Sequence, residues 1–315
     1  MPNNSCAPES RSAFNRAPAI STYETIYRGP ESNRNMIAVD SVRKVSIRNH
    51  YQLGTLFYRL LWGPHIHHGI WEGNESAYVA QCRLTDTLAD LAHARQGSRM
   101  LDVGCGMGGS SIRLAKLRGC HATGITISSV QSRWASCSAF FNGVGSRTRF
   151  ITQDAETAEF PPETFDVIWS VECTEHLFDK ATFFKKASRW LKPGGRLAIV
   201  VWFEGADPSL PNHRQRVEEV CQKFVCPSLA TRQEYAQWIT DAGLQVIDNV
   251  DWSEQAARTW EICKSRVSKT GVKYLARILD KEQVAFLDGF DTLIDAYRSG
   301  NMEYGALIAE KPIGG

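Results

Sequence analysis

The sequence predicts an α/β fold: a doubly wound, mainly parallel sheet, covered on both faces and carrying helical cap insertions. Three observations predict it. From Arg99 onward, short apolar runs alternate with amphipathic ones, the pattern that lays helices on both faces of a parallel sheet. Glycines cluster directly after the first of those runs, in "LDVGCGMGGS", where the chain turns from strand into helix. After Phe203 the alternation loosens into helical material, returning as "GLQVIDNVDW" and closing on "EYGALIAEKP".

In chain order, residues 1–35 mix Ser, Asn, Pro and Arg without periodicity and lack the apolar centre of a secretory signal. They are expected to be a flexible N-terminal arm. Their Ser and Arg content suits an organelle transit peptide, but three Glu residues and several prolines count against it. Residues 36–97 read as an N-terminal helical segment covering the active site, broken by the aromatic stretch "LWGPHIHHGIWEG". Residues 98–315 form the core. Its strands are "RMLDVG", "HATGITI", "TRFITQ", "FDVIWS" and "RLAIVVWF", with helices over Gly108 to Arg118, Ser128 to Phe141 and Lys180 to Trp190. Two insertions, at about 205–230 and 254–300, are expected to form a lid near the carboxyl ends of the strands.

The 315 residues suffice for one domain with a cap. With 43% hydrophobic and 22% charged residues, and no apolar run near the roughly 18 a span requires, the chain reads as soluble, without a membrane span. A net charge of +2, with Lys and Arg scattered, gives no field that argues for nucleic acid. A small-molecule partner is expected; oligomeric state is left open. The nine cysteines include no CxxC pair, Cys221 and Cys226 coming closest, and no His-rich segment accompanies them. Reduced thiols, no metal site and a cytoplasmic location are expected.

Gly104, Gly106 and Gly109 formally satisfy the dinucleotide pattern GxGxxG. Two features count against a nicotinamide cofactor: Asp102 precedes the glycines, and "GITIS" lacks the acid expected about 20 residues on. A carboxylate before the loop suits a ligand with a cationic end, such as S-adenosylmethionine. Here the sequence resembles the class I S-adenosylmethionine-dependent methyltransferases, whose first strand ends in the D-x-G-x-G-x-G pattern that Asp102 to Gly108 reproduces. "GITISSVQ" resembles a narrower group, the tocopherol C-methyltransferase-like enzymes. The same resemblance runs through "LLWGPHIHHGIWE", "ECTEHLFDKATFFKKASRWLKPGGRL", "VDWSEQAARTW" and "AYRSGNMEYGALIAEKP", covering most of the chain from about residue 50.

The resemblance implies a seven-stranded, Rossmann-like methyltransferase sheet and S-adenosylmethionine as cofactor. It implies a loop of Asp102, Gly104, Cys105, Gly106 and Gly108, hydroxyl-binding roles for Thr126 and Gln131 beside Ile127, and an adenine-binding role for Asp154 beside Ala155. Ser128 or Ser129 is also placed to cap the following helix.

"WSVECTEHLFDK" runs from an apolar strand into Glu172, Glu175, His176 and Asp179. In an open α/β sheet the ligand crevice lies at the carboxyl ends of the strands, so Glu172 is expected there. Glu172 and His176 are the catalytic candidates: methyl transfer to an aromatic carbon or an amine releases a proton, and a carboxylate also stabilises a developing cation. The alternatives are a place in the first turn of a helix for Glu172 and a satisfied structural role for His176. Glu175 is expected in the first turn of a helix, stabilised by its dipole. His67, His68 and Trp71, with Trp252 and Trp260, are candidates for the substrate pocket, core packing being the alternative for Trp252 and Trp260. The expected function is methyl transfer to a carbon or nitrogen of a small, largely apolar secondary metabolite, whether aromatic, alkaloid or terpenoid. The alternatives are a cofactor-binding cyclase or isomerase without net methylation, and a non-catalytic partner protein on the same fold.

Overall fold

The computed structural model describes residues 36–270 and 281–314. The expected arm of residues 1–35, and the part of the second lid insertion at 271–280, lie outside the described residues. The strands are β1 (Ile37–Ala38), β2 (Arg99–Val103), β3 (His121–Thr126), β4 (Thr148–Thr152), β5 (Phe165–Val171), β6 (Leu191–Glu204), β7 (Ser228–Leu229), β8 (Gln245–Asp251) and β9 (Met302–Glu310). The helices are α1 (Lys44–Leu61), α2 (Ala77–Leu91), α3 (Gly109–Leu117), α4 (Ser129–Phe141), α5 (Lys180–Trp190), α6 (His213–Lys223), α7 (Arg232–Asp241), α8 (Ser253–Thr270), α9 (Lys281–Asp288) and α10 (Phe290–Arg298).

Seven strands form one sheet in the order β4-β3-β2-β5-β6-β9-β8. The pairings from β4 to β6 are all parallel, and β9 runs antiparallel between β6 and β8. The strand order reverses between β2 and β5. Successive side chains on a strand point to opposite faces, and the apolar runs use both. Met100, Val167 and Val200 face one core, with Leu84 and Leu88 of α2. Leu101, Ile168 and Ile199 face the other, with Phe183, Phe184 and Trp190 of α5 and Tyr235 of α7. Burial on both sides explains why these strands read as near-continuous apolar runs rather than alternating ones.

Trp190 is fully buried. Its replacement by Ala is expected to lower stability by about 3–5 kcal/mol, the cost of an unfilled aromatic site, read as a lower urea midpoint.

The cap gathers at the carboxyl ends of the parallel strands. Its core is aromatic: Trp62, just past α1, lies 5.5 Å from Trp260 of α8, and Trp260 lies 5.1 Å from Phe290 of α10, ring centre to ring centre. β1 pairs antiparallel with β7, tying the residues before α1 to the first insertion. The segment 36–97 divides between two layers: α1 joins the cap, whereas α2 lies against the sheet with Leu84 and Leu88 fully buried. No described helix is long and apolar enough to cross a membrane.

Candidate active site

The carboxyl ends of β2, β3, β4 and β5 open onto one cavity of about 740 Å³, its mouth included, beside the reversal in strand order. α1 closes it from the opposite side with Lys44, Ile47 and Tyr51.

From β2 come Gly104 and Gly106, which line the cavity. Gly104 has a φ of +76°, and an added Cβ there would collide with Cys173 Cβ and Sγ, so only glycine fits. Gly108, at φ +79°, starts α3, and a Cβ would stand 2.9 Å from Ala135 Cβ on α4. It shapes the loop without lining the cavity. Cys105 is buried and packs beneath Gly124. Asp102 also lies behind the loop. It is 3% exposed, and Ser111 Oγ donates to its Oδ2 at 2.6 Å. Burial, against that hydroxyl, pushes its carboxyl up to about 7.

At the end of β3, Thr126, Ile127 and Gln131 line the cavity, with Thr126 Oγ1 donating to Gln131 Oε1 at 2.8 Å. Ser128 is the cap of α4, accepting from the Gln131 N–H at 3.3 Å. At the end of β4 stand Asp154, Ala155 and Glu156. Lys44 Nζ binds Asp154 Oδ2 at 2.7 Å and Glu156 Oε2 at 2.5 Å, latching the start of α1 to this rim. Burial lowers the Lys44 pKa, but Glu156 and Asp154 reverse the effect and leave it raised.

Past β5, the three acids and the histidine of "ECTEHLFD" have four different environments. Glu172 lines the cavity with a φ of +51°, a left-handed conformation uncommon outside glycine and typical of functional sites. Its Oε1 accepts from three donors: the His68 backbone N–H at 2.7 Å, His68 Nδ1 at 2.8 Å and Tyr304 Oη at 2.7 Å. Trp260 Nε1 donates to His68 Nε2 at 2.5 Å, which fixes the His68 proton on Nδ1. Burial works to raise the Glu172 pKa, but His68 and Tyr304, which donate hydrogen bonds to the carboxylate, outweigh it and hold the carboxyl below its ordinary value. Glu172 is therefore an anion.

His176 also lines the cavity, with both ring nitrogens engaged. Nε2 meets Tyr51 Oη at 2.8 Å and Nδ1 donates to the Val225 carbonyl at 3.1 Å. Burial pushes its pKa down to about 4. The helix-dipole expectation for Glu175 is corrected. Its segment is a single 3-10 turn, Thr174–His176, and the longer helix α5 starts later, capped by Asp179, whose Oδ1 accepts from the Thr182 N–H at 2.9 Å. Glu175 turns into the core and accepts from the Trp202 N–H at 2.7 Å, while burial pushes its carboxyl up to about 8.

The five candidates for the substrate pocket stand behind the cavity wall. His68 holds Glu172. His67 faces α2, its Nδ1 donating to the His68 carbonyl at 2.7 Å and its Nε2 3.2 Å from His65 Nδ1. Trp71 Nε1 donates to Thr259 Oγ1 at 3.0 Å, and Trp252 and Trp260 belong to the buried core. Among the described residues no His, Cys, Asp and Glu cluster has a metal-binding arrangement, and the described cysteines are free.

Lys44, Tyr51 and Tyr304 were not singled out from the sequence. Lys44, Ile47 and Tyr51 are spaced i, i+3, i+7, so one helix face carrying an ammonium and a phenol was legible. Tyr304 sits in an apolar strand and left no such signal.

The cavity fits S-adenosylmethionine. Glycine backbone, hydroxyl and amide groups, and a carboxylate lie at successive strand ends, and no described side chain intrudes at Gly106, where only Ile66 Cδ1 comes within 3.9 Å of an added Cβ. A model of the family described as mycolic acid cyclopropane synthetase matches residues 40–292. The chloroplastic tocopherol O-methyltransferase of Arabidopsis thaliana is 29% identical over 295 residues, covering 88% of this chain and 84% of the relative. The 27-O-demethylrifamycin SV methyltransferase of Amycolatopsis mediterranei is 36% identical over 203 residues, 64% of this chain and 74% of the relative. Among solved structures, the 4+2 cyclase SpnF shares a TM-score of 0.75 at 25% identity, covering 85% of this chain and 96% of its own. Fold, cavity and family model agree: the chain belongs to the mycolic acid cyclopropane synthetase family of S-adenosylmethionine-dependent methyltransferases.

Proposed function

We propose that the chain transfers a methyl group from S-adenosylmethionine to a carbon or nitrogen of a small, largely apolar metabolite of the aromatic, alkaloid or terpenoid kind. One observation carries the reading: the Glu172 carboxyl group accepts hydrogen bonds from His68 and Tyr304 on a wall it shares with Ile47, Ile66, Val171 and Leu177. When bound, the cofactor supplies an electrophilic methyl group on a sulfonium. Gly104 and Gly106 would hold its methionyl part, Thr126 and Gln131 the ribose hydroxyls, and Asp154 with Ala155 and Ile127 the adenine. Asp102, Cys105 and Gly108 shape the loop from behind.

Glu172 then faces the acceptor. A carboxyl held below its ordinary value is too weak a base to strip a hydroxyl at neutral pH, and His176 already uses both nitrogens. What Glu172 does well is stabilise positive charge, as on an attacked alkene, an aromatic ring or an amine. This favours carbon or nitrogen, although both relatives described above are named for, or act at, an oxygen. Tyr51 and His176 brace each other and orient α1 over the pocket. Excluding water and aligning the reactants supply most of the rate.

The test is a panel of amines, isoprenoids and phenols incubated with methyl-labelled cofactor. The expected result is S-adenosylhomocysteine released in step with a product heavier by one methyl. The similarity to SpnF favours one second reading, ring closure without methyl transfer; a product isomeric with its substrate and no released S-adenosylhomocysteine would establish it. Residues 1–35 are expected to be dispensable for this chemistry, so truncation at residue 36 should leave kcat unchanged in the same assay.

A further inference from the structure

Two neighbouring helices present the wrong residues to solvent. α4 buries Gln131 and Ser132 and exposes Trp134, Phe140 and Phe141, the last two 74% and 84% exposed. α1 buries Ile47, His50 and Tyr58 against the cap, yet its outer row is also apolar: Leu53, Leu56 and Leu60 are each more than half exposed. A helix apolar on both faces needs cover on both. Gln52 Nε2 donates to Ser129 Oγ at 3.2 Å, which joins the middle of α1 to the first turn of α4.

The charge carried by these two helices has one sign. No Asp or Glu occurs between Asp40 and Glu72, or between Asp102 and Asp154, and these two stretches supply both helices. Arg59 and Arg133 are exposed on the two helices. At the Phe140–Phe141 end, Lys116 Nζ lies 3.4 Å from Asn142 Oδ1, and exposed Arg147 follows. Acids on adjoining elements are paired with cations: Asp86 and Asp90 with Arg113 and Arg118, Asp154 and Glu156 with Lys44.

We propose that the outer faces of α1 and α4 form a peripheral docking surface for an anionic lipid bilayer. Such a surface offers hydrocarbon to the Leu and Phe side chains and phosphate to the arginines, whereas a second copy of this chain would bring a cationic, acid-free patch against itself. The inner face of α1 carries Lys44, Ile47 and Tyr51 into the cavity. Docking therefore sets the cavity at the boundary where apolar molecules concentrate. The inference holds whichever atom the enzyme methylates.

Sedimentation of the full chain with vesicles tests it. Binding is expected to phosphatidylcholine vesicles containing about one-third phosphatidylglycerol, at least about tenfold weaker to phosphatidylcholine alone, and weakened by salt. The double variant Phe140→Ser, Phe141→Ser and the single Arg133→Glu should each lower partitioning by about tenfold or more. Their melting temperatures and response to S-adenosylhomocysteine should match the unaltered protein, since these side chains lie outside the core and the cavity. Three results overturn the proposal: no sedimentation with either vesicle, equal binding to both, or a dimer in ultracentrifugation that the same substitutions abolish.

Discussion

A Glu172→Gln enzyme is expected to turn over roughly 10² to 10³ times more slowly than the unaltered one, with its S-adenosylmethionine affinity kept within about threefold. The substitution keeps shape and removes charge. Its Oε1 can still accept from Tyr304 and His68, but the amide no longer draws those donors as a carboxylate does, and the site loses an anion in a largely apolar pocket, where a charge acts with little screening. Positive charge that develops on the acceptor then has no fixed counter-charge. The split between binding and turnover decides the role, measured by calorimetry for the cofactor and single-turnover rates for the acceptor. Collapse of cofactor binding would move Glu172 to the cofactor's own surroundings. Unchanged turnover would leave it only a part in the fold. The pH profile adds a check with a definite sign. A carboxyl held below its ordinary 4.5 contributes stability at all pH above 4.5, lost only as pH falls through the lowered value. Any fall in rate between pH 5 and 7 must therefore come from another group.

The strands, the glycine loop and the α4 cap were legible because each depends on neighbours within a few residues: apolar runs bounded by turns, Asp102 before Gly104, Ser128 before its helix. The opposite case is Asp154, whose partner Lys44 lies 110 positions earlier, and Glu172, whose partners His68 and Tyr304 lie 104 and 132 positions away. No local pattern carries such pairings. His67 and His68 make the point within one dipeptide: adjacent in sequence and equally polar, one faces α2 and the other grips the cavity carboxylate. The misplaced dipole role of Glu175 has the same origin. Acids grouped ahead of an amphipathic run resemble a helix start, and Asp179 does fill that place. Glu175 lies instead in a short 3-10 turn that follows Glu172, whose left-handed φ no propensity scale anticipates.

Asp102→Asn is expected to move stability and binding in opposite directions. The Asp102 carboxyl is almost fully buried, with Ser111 Oγ as its hydrogen-bond partner, and its pKa rises from an ordinary 3.8 to about 7. A raised pKa on an acid means that folding favours the protonated form. Stability linked to it is complete below 3.8 and is lost as pH rises through about 7, so above that the folded chain carries the whole penalty. At about 1.4 kcal/mol per pH unit, this is on the order of 4 kcal/mol. An asparagine of the same shape still accepts from Ser111 and escapes the penalty. The ligand-free variant should therefore melt higher than the unaltered protein at pH 8 and equally at pH 4. A charge this costly fits a place where a cation binds, and the loop in front of Asp102 receives the ammonium and sulfonium of the cofactor in the reading proposed above. S-adenosylmethionine affinity of the unaltered protein should accordingly strengthen between pH 6 and 8, and the variant should bind more than about tenfold more weakly at pH 8 with no such pH dependence. Calorimetry and thermal melts at these pH values read both effects on one pair of samples. If the asparagine protein binds as tightly at pH 8, Asp102 only supports the loop; if it melts no higher, the carboxylate is stabilised by groups beyond Ser111.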